Sequence, residues 1–232
     1  MIPAMNEAAN LQYVLLLMPP TIFELILVDG RSSDETIAVT QALYPSARIV
    51  HQIGRGKGNA LAAGFAACHG DVIVMLDADG SANPQEIEQF VRVLLDGADF
   101  AKGTRFAAGG GSADITWLRR IGNYGLVRLV NLLYRTRFTD LCYGLNAFWV
   151  HCLPHIELDT DGFEVEALIN IRLAKSSLRI EEVGSYELRR LHGNSKLHTI
   201  RDGFRVLRVI LRERLTGPVT VTSPVPESTQ IV

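Results

Sequence analysis

Short apolar runs alternate with amphipathic stretches through the first hundred residues, the β-α-β rhythm of a parallel sheet covered by helices. The runs at 25–28, 48–51, 71–76 and 99–103 predict strands. The stretches at 7–17, 34–43, 59–68 and 84–95 predict helices, the last with Pro84 in its first turn and Gly97 just past its end. A sheet of this kind takes ligands at the carboxyl ends of its strands, so the residues that follow each apolar run carry the most information. Met1-Ile2-Pro3 stands directly before a helix and leaves almost no room for an opening strand. A chain that extended upstream would be expected to bring apolar, β-branched residues that complete a central strand.

The second half predicts a helix at 117–134, a short strand at 146–150, a helix at 164–175, a strand at 178–183 and an arginine-rich helix at 198–215. From residue 216 the text turns to Pro, Thr, Ser and Val without helical period or caps, the composition of a disordered tail. The expected organisation is one domain over 1–215 and a tail over 216–232, with no internal repeat.

Composition adds four constraints. At 232 residues and 47% hydrophobic content the chain can build one sizeable core. It carries no run of about 18 apolar residues and no basic-apolar-small leader, so a cytoplasmic protein is expected. Cys68, Cys142 and Cys152 are odd in number and form no C-x-x-C pair, which favours buried free thiols over a disulfide framework or a zinc site. The formal charge of −2 hides an asymmetry: residues 1–99 hold five basic and twelve acidic groups, residues 100–215 eighteen and twelve. The second half is the one suited to anionic partners.

Asp77-Ala78-Asp79 follows an apolar run and precedes a helix. Two carboxylates one residue apart can share a hard divalent cation, Mn2+ or Mg2+, that bridges to substrate phosphates; the competing assignment is that they cap the helix near Pro84. Asp29 closes another strand ahead of Ser32, Ser33 and Asp34, which suit a helix start, whereas Asp29 itself is placed to accept from a nucleobase edge. Gly54-Arg55-Gly56-Lys57-Gly58 lacks both G-x-x-x-x-G-K-[ST] and G-x-G-x-x-G, which disfavours a Walker ATPase and a dinucleotide enzyme. Lys57 near the helix start suits a phosphate or a base-proximal contact. Arg105, Arg119, Arg120, Arg189, Arg190 and Lys196 fall near loops or helix ends, as phosphate partners or as solvated surface cations. Gly109-Gly110-Gly111-Ser112 reads equally as a flap over substrate or an idle loop. The helix at 198–215 sets Ile200, Phe204, Leu207, Ile210 and Leu211 against four arginines, either as a core-packed helix or as an anionic-membrane contact.

Several of these segments, in order, resemble family 2 glycosyltransferases of the GT-A fold, and most closely the dolichyl- or polyprenyl-phosphate hexosyltransferase branch. Ile2-Pro3-Ala4-Met5-Asn6-Glu7 is similar to I-P-x-Y-N-E, the segment 28–34 to V-D-D-G-S-S-D, 55–70 to G-K-G-x-A-L-x-x-G, and Lys102-Gly103-Thr104-Arg105-Phe106 to G-S-R-Y. Thr139-Asp140 with Gly144 resembles T-D-x-x-S-G-F, and Gly162-Phe163-Glu164-Val165-Glu166 resembles G-F-E-x-E. The resemblance runs from Ile2 to about Phe204.

It implies a Rossmann-like, mostly parallel sheet and an inverting transfer of a hexose from a nucleotide-diphosphate sugar such as GDP-mannose or UDP-glucose. Pro3, Met5, Glu7, Asp29, Lys57, Asp77, Ala78 and Arg105 would then contact the donor, Asp77 and Asp79 the cation, and Arg119, Arg190 and Lys196 the acceptor or its phosphate. Asp79 and Asp140 would stand in the reaction centre, with Asp140 and then Glu164 as general bases for a hydroxyl acceptor; a lipid phosphate needs none. The implied partners are the nucleotide sugar, a lipid phosphate or saccharide acceptor, and an anionic membrane met peripherally at its inner face; no nucleic acid is expected. Met5 stands where the family has an aromatic, Gly30-Arg31 where it has Asp-Gly, and Leu145-Asn146 where the branch often has Phe-Arg. A transferase for soluble saccharides or metabolites, a sugar-phosphate nucleotidyltransferase and a non-catalytic nucleotide-sugar binder remain as rivals.

Overall fold

Three residues suffice to open the sheet. In a computed structural model, which describes residues 1–193, 195 and 197–217, strand β1 (Ile2–Ala4) pairs in parallel with β2 (Ile26–Asp29), and β2 with β3 (Arg48–His51). The other edge of β1 meets β4 (Val72–Met75): the Met1 ammonium donates to the Val74 carbonyl at 2.7 Å, and Leu76 N–H donates to the Met1 carbonyl at 3.2 Å. The expectation that the opening strand lacks room is thereby corrected, because β2 and β4 already supply both of its partners.

A second sheet runs β4-β7-β5-β8, with β7 (Asn146–Trp149) antiparallel to both β4 and β5 (Phe100–Thr104), and β8 (Ile180–Gly184) parallel to β5. Two-residue strands β6 (Gly111–Ser112) and β9 (Tyr186–Glu187) form a small third sheet. The glycine-rich run at 109–112 is pinned into this sheet: Gly111 pairs with Tyr186, and the Ser112 hydroxyl donates to Glu187.

Helices α1 (Ala8–Leu16), α2 (Thr36–Leu43), α3 (Gly56–Ala67) and α4 (Ile87–Leu95) alternate with these strands, and α5 (Trp117–Tyr134), α6 (Val165–Ala174) and α7 (Thr199–Leu215) follow. A short 3-10 turn at Pro84–Glu86 leads into α4, and it is the Asn83 carboxamide, not the aspartate pair, that caps it by accepting from Gln85 N–H. Helix α3 begins three residues earlier than its apolar pattern indicates. Gly58 permits this, since a Cβ there would lie 1.8 Å from the Thr160 carbonyl oxygen. Lys57 consequently sits in the first turn of α3.

The core has a layer between α1, α4 and the sheet, including Leu11, Val14, Leu27 and Phe90, and a layer around Phe65, Phe100, Phe148 and Val165. A third layer joins α5, α6 and α7 through Val127, Val130, Ile171, Val206 and Ile210. Helix α6 is buried from Val165 through Leu173, so it carries Glu166, Asn170 and Arg172 into the interior, where each needs a partner. Asn170 finds the Leu141 carbonyl and Arg172 finds Glu213. Glu166 finds Lys57. A cavity of about 690 Å³ lies away from these groups, lined by Met1, Phe23, Leu25, Val72 and Trp149 among others. Among the described residues no helix is long and apolar enough to cross a membrane.

Candidate active site

Strand β4 is followed by buried Leu76, and the chain then presents Asp77 and Asp79 outward while Ala78 packs inward, 4% exposed. The chain leaves the strand in a turn over 78–79. Gly144 makes space for it, because a Cβ at that position would stand 2.0 Å from Asp77 Oδ2. The two carboxylates line a cavity of about 100 Å³ together with Lys57, Arg105, Arg119, Glu166 and Arg190. Acidic and basic side chains thus face each other across one small volume.

Three ion-pair systems organise the wall. In the first, Lys57 Nζ lies 2.5 Å from Asp77 Oδ1 and 2.6 Å from Glu166 Oε1. Burial works to lower the Lys57 pKa, but the two carboxylates outweigh it and hold the amine charged above its ordinary value. Burial raises the Glu166 carboxyl, with Lys57 opposing and Asp77 adding to the rise. In the second system Arg190 bridges Glu7 (Nη2 to Oε1, 2.5 Å) and Asp79 (Nη1 to Oδ2, 3.2 Å), so a residue late in the chain ties α1's entry to the end of β4. In the third, Arg105 grips Asp140 with two hydrogen bonds, Nε to Oδ2 at 2.7 Å and Nη2 to Oδ1 at 2.9 Å, and reaches Glu187 at 3.1 Å.

That third system assigns Asp140 a place different from the one the sequence implies. Its carboxylate is fully buried beneath Arg105 and does not line the cavity. Burial pushes its pKa up, yet the Arg105 bonds prevail and hold it below the ordinary carboxylate range, the opposite of what a proton acceptor needs. Glu164, the other candidate base, accepts from Gly162 N–H and also stays out of the cavity. Glu166, two residues on and in the first turn of α6, is the carboxyl that enters it. The sequence showed Glu166 only as the last letter of a motif; its helical offset from Glu164 was the available signal, since adjacent turns point about 200° apart over two residues.

The remaining sequence-derived positions form a separate group at the ends of β1 and β2. Pro3 pairs opposite Val28, and Asp29 is buried, accepting from the N–H groups of Arg31 and Ser32. Met5 is exposed on the neighbouring turn, and Gly30 N–H donates to the Ala4 carbonyl. This group does not touch the cavity directly; Glu7 connects the two through Arg190. Arg119 lines the cavity and lies 3.6 Å from Asp114. Lys196 lies outside the described residues, as does the tail from 218 onward. Cys142, which also lines the cavity, is pushed up to about 12 by burial and remains a neutral thiol.

Asp77 and Asp79 suit a hard divalent cation on the structure's own terms: both are partly exposed at the cavity mouth, both supply oxygen, and both are at present balanced by a flexible cation. Among the described residues no group of three or more His, Cys, Asp or Glu side chains could hold a metal unaided. Such a cation would complete its coordination with water and with diphosphate oxygens.

The sequence profile of the family described as Glycosyl transferase family 2 matches residues 1–152, which take in the paired aspartates and end just past β7. The chain belongs to this family. Relatives by sequence include an uncharacterised protein of Methanocaldococcus jannaschii, 27% identical over 92% of this chain and 90% of its own length. Another is the dolichol-phosphate mannosyltransferase of Pyrococcus furiosus, 27% identical over 91% of this chain, which spans 62% of that relative's length. A dolichyl-phosphate hexose transferase of Haloferax volcanii is 29% identical over 83% of each chain. Among solved structures, glucosyl-3-phosphoglycerate synthase from Mycobacterium tuberculosis, in complex with Mn2+, UDP and glucosyl-3-phosphoglycerate, superposes with a TM-score of 0.72 at 24% identity, covering 94% of this chain and 79% of that one. A mycobacterial protein gives 0.74 at 22% identity, covering 94% and 74%. The GT-A fold and the glycosyltransferase class implied by the motifs are thus the protein's own.

Proposed function

We propose that this family 2 enzyme moves a hexose from a nucleotide-diphosphate sugar to a polyprenyl or dolichyl phosphate, by one in-line displacement that inverts the anomeric carbon. The observation that carries this proposal is the pairing of two cavities. The acidic and basic one holds Asp77, Asp79, Lys57 and Arg190; the other, about 100 Å³ and lined by Ile115, Leu126, Phe163, Leu197 and Val206, shares Arg105, Arg119 and Glu166 with it. A phosphate held at Arg119 with an apolar slot behind it is the chemistry of a prenyl phosphate.

In this proposal Asp77 and Asp79 hold Mn2+ or Mg2+, which supplies Lewis-acid neutralisation of the departing diphosphate. Lys57 and Arg190 exchange their carboxylate partners for diphosphate oxygens, and Asp29, Pro3 and Met5 receive the nucleoside. Arg105 is fixed by Asp140 to face the reacting phosphates, and Arg119 with Lys196 orients the acceptor. A prenyl phosphate is already anionic and attacks C1 without a base. We place the reaction at the cytoplasmic face of a membrane, a compartment in keeping with three free cysteines.

A second acceptor class, a saccharide or small-metabolite hydroxyl, is favoured by one observation: the raised carboxyl of Glu166 enters the cavity, where a base would be required. The test is thermal stability with GDP, UDP, ADP and dTDP, each with and without manganese, for the wild type and Asp79→Ala, followed by transfer assays with prenyl phosphates. Binding to the folded state alone raises stability by mass action. A shift for one nucleotide that needs both manganese and Asp79 is expected. No metal-dependent shift in folded protein would remove the donor site as described.

A further inference from the structure

Helix α5 turns the wrong kind of face to solvent. Asn123, Val127 and Val130 pack inward, as an amphipathic helix requires. On the opposite side, at successive spacings of four, three and eight residues, stand Trp117, Ile121, Tyr124 and Leu132, each between 61% and 77% exposed, with Leu118 beside them. Helix α7, packed against α5, repeats the arrangement: Val206, Val209 and Ile210 are buried, while Ile200, Phe204, Leu211 and Leu215 are exposed. The sequence pattern of α7 had one apolar side; the fold divides it, sending Ile210 to the core and Phe204 to the surface.

The exposed charges on the two helices are of one sign. From 115 to 137 the chain holds five arginines and neither a carboxylate nor a lysine. From 198 to 216 it holds five more, and its two carboxylates are buried and paired, Asp202 with Arg201 and Arg205, Glu213 with Arg172, Lys175 and Arg212. An arginine-rich rim around Trp, Tyr, Ile and Leu matches an anionic lipid surface, where the aromatic rings settle among headgroups and the guanidinium groups meet phosphates. A second copy of the chain fits poorly, since two such faces would set arginines against arginines.

We infer that α5, with α7 beside it, is the surface by which this protein lies on an anionic bilayer, Trp117, Ile121 and Leu132 entering the headgroup layer. The inference rests on the proposed lipid-phosphate acceptor for its purpose but on exposure and charge for its evidence. It also gives the apolar slot a source of substrate, because Gly122 and Leu126 of α5 and Thr199 and Gly203 of α7 line the mouth shared with Arg119.

The experiment is flotation with vesicles of phosphatidylcholine alone and of phosphatidylcholine with 30% (about one in three) phosphatidylglycerol, free of any prenyl phosphate, using the wild type and the triple variant Trp117→Ser, Ile121→Ser, Leu132→Ser. The wild type is expected to float with the anionic vesicles and not with the neutral ones, and the variant to lose roughly tenfold or more of that binding. Its thermal midpoint should stay near the wild-type value, since all three side chains are already in water. Wild-type protein that stays at the bottom of the gradient, a variant that floats equally well, or a concentration-dependent dimer abolished by the three substitutions would each overturn the inference. Transfer to a short, water-soluble prenyl phosphate keeps the two proposals separate. The variant should retain it, flotation without any transfer would remove the acceptor and leave the surface, and transfer without flotation would do the reverse.

Discussion

Lys57 stands between two carboxylates that would repel one another without it, and it is the residue on which the acidic wall depends. Replacing it with methionine leaves Asp77 and Glu166 adjacent, buried on one side and uncompensated, a change expected to cost about 3 kcal/mol of stability. Turnover should fall about 100-fold or more, as when a preorganised donor to a developing oxyanion is removed; thermal melts and initial rates at saturating manganese check the two effects separately. Asp140 makes a sharper case, because base and anchor predict different results. As the group that fixes Arg105, Asp140→Asn should lower both the thermal midpoint and the rate while leaving the pH profile of kcat/KM unchanged in shape. Loss of the acid limb of that profile in the variant would restore it as the proton acceptor. The sequence identified Asp77, Asp79, Arg105 and Arg190 as candidates because motif spacing marks positions. It could not show that Asp140 faces Arg105 or that Glu166 enters the cavity, since those facts depend on β5, the 139–145 segment and α6 meeting in space.

Periodicity carries the regular elements well and the short ones not at all. Every strand and helix with a full period in the sequence is present, whereas β6 and β9 are two residues long and exist only because segments some 75 residues apart lie side by side. The antiparallel insertion of β7 between β4 and β5 has no local signal either, because Asn146–Trp149 reads as a strand whichever neighbours it takes. The α6–α7 junction shows how an element can be fastened by charge. Glu213 of α7 accepts from Arg172 of α6 and from Lys175 just past its end, each at 3.0 Å. Burial pushes the Glu213 pKa up, but those cations prevail and hold it down at about 2. A depressed carboxylate contributes stability that is complete above its unfolded value, near 4.5, and is lost as pH falls from there toward about 2. Glu213→Gln should therefore destabilise the protein by about 2 kcal/mol at neutral pH and flatten the acid limb of its stability curve in that window, as urea titrations between pH 3 and 7 (roughly the span needed) would record.

At the scale of the molecule, the site exists only because two segments 183 residues apart in the chain are brought together. Glu7 enters α1 and Arg190 follows β9, yet they share two hydrogen bonds, and the adjoining segments are sewn by Asn10 to the backbone of His192 in both directions. The charge asymmetry between halves acquires a physical meaning here: the acidic first half supplies Glu7, Asp77 and Asp79, and the basic second half supplies the arginine that spans them. Arg190 cannot hold Asp79 and a donor diphosphate with the same Nη1, so donor entry must exchange one partner for the other while Glu7 keeps the guanidinium in place. Glu7 is then a positioning residue, and its loss should be felt as a looser crossing between the halves. Glu7→Gln is expected to raise the donor KM about tenfold with a smaller change in kcat, because the cation is displaced from the ground-state complex and from the transition state alike. It should also speed amide hydrogen exchange in 188–193 while leaving β4 and β5 protected. A variant with wild-type KM and unchanged exchange in that segment would show that Arg190 is held by Asp79 and the loop backbone alone.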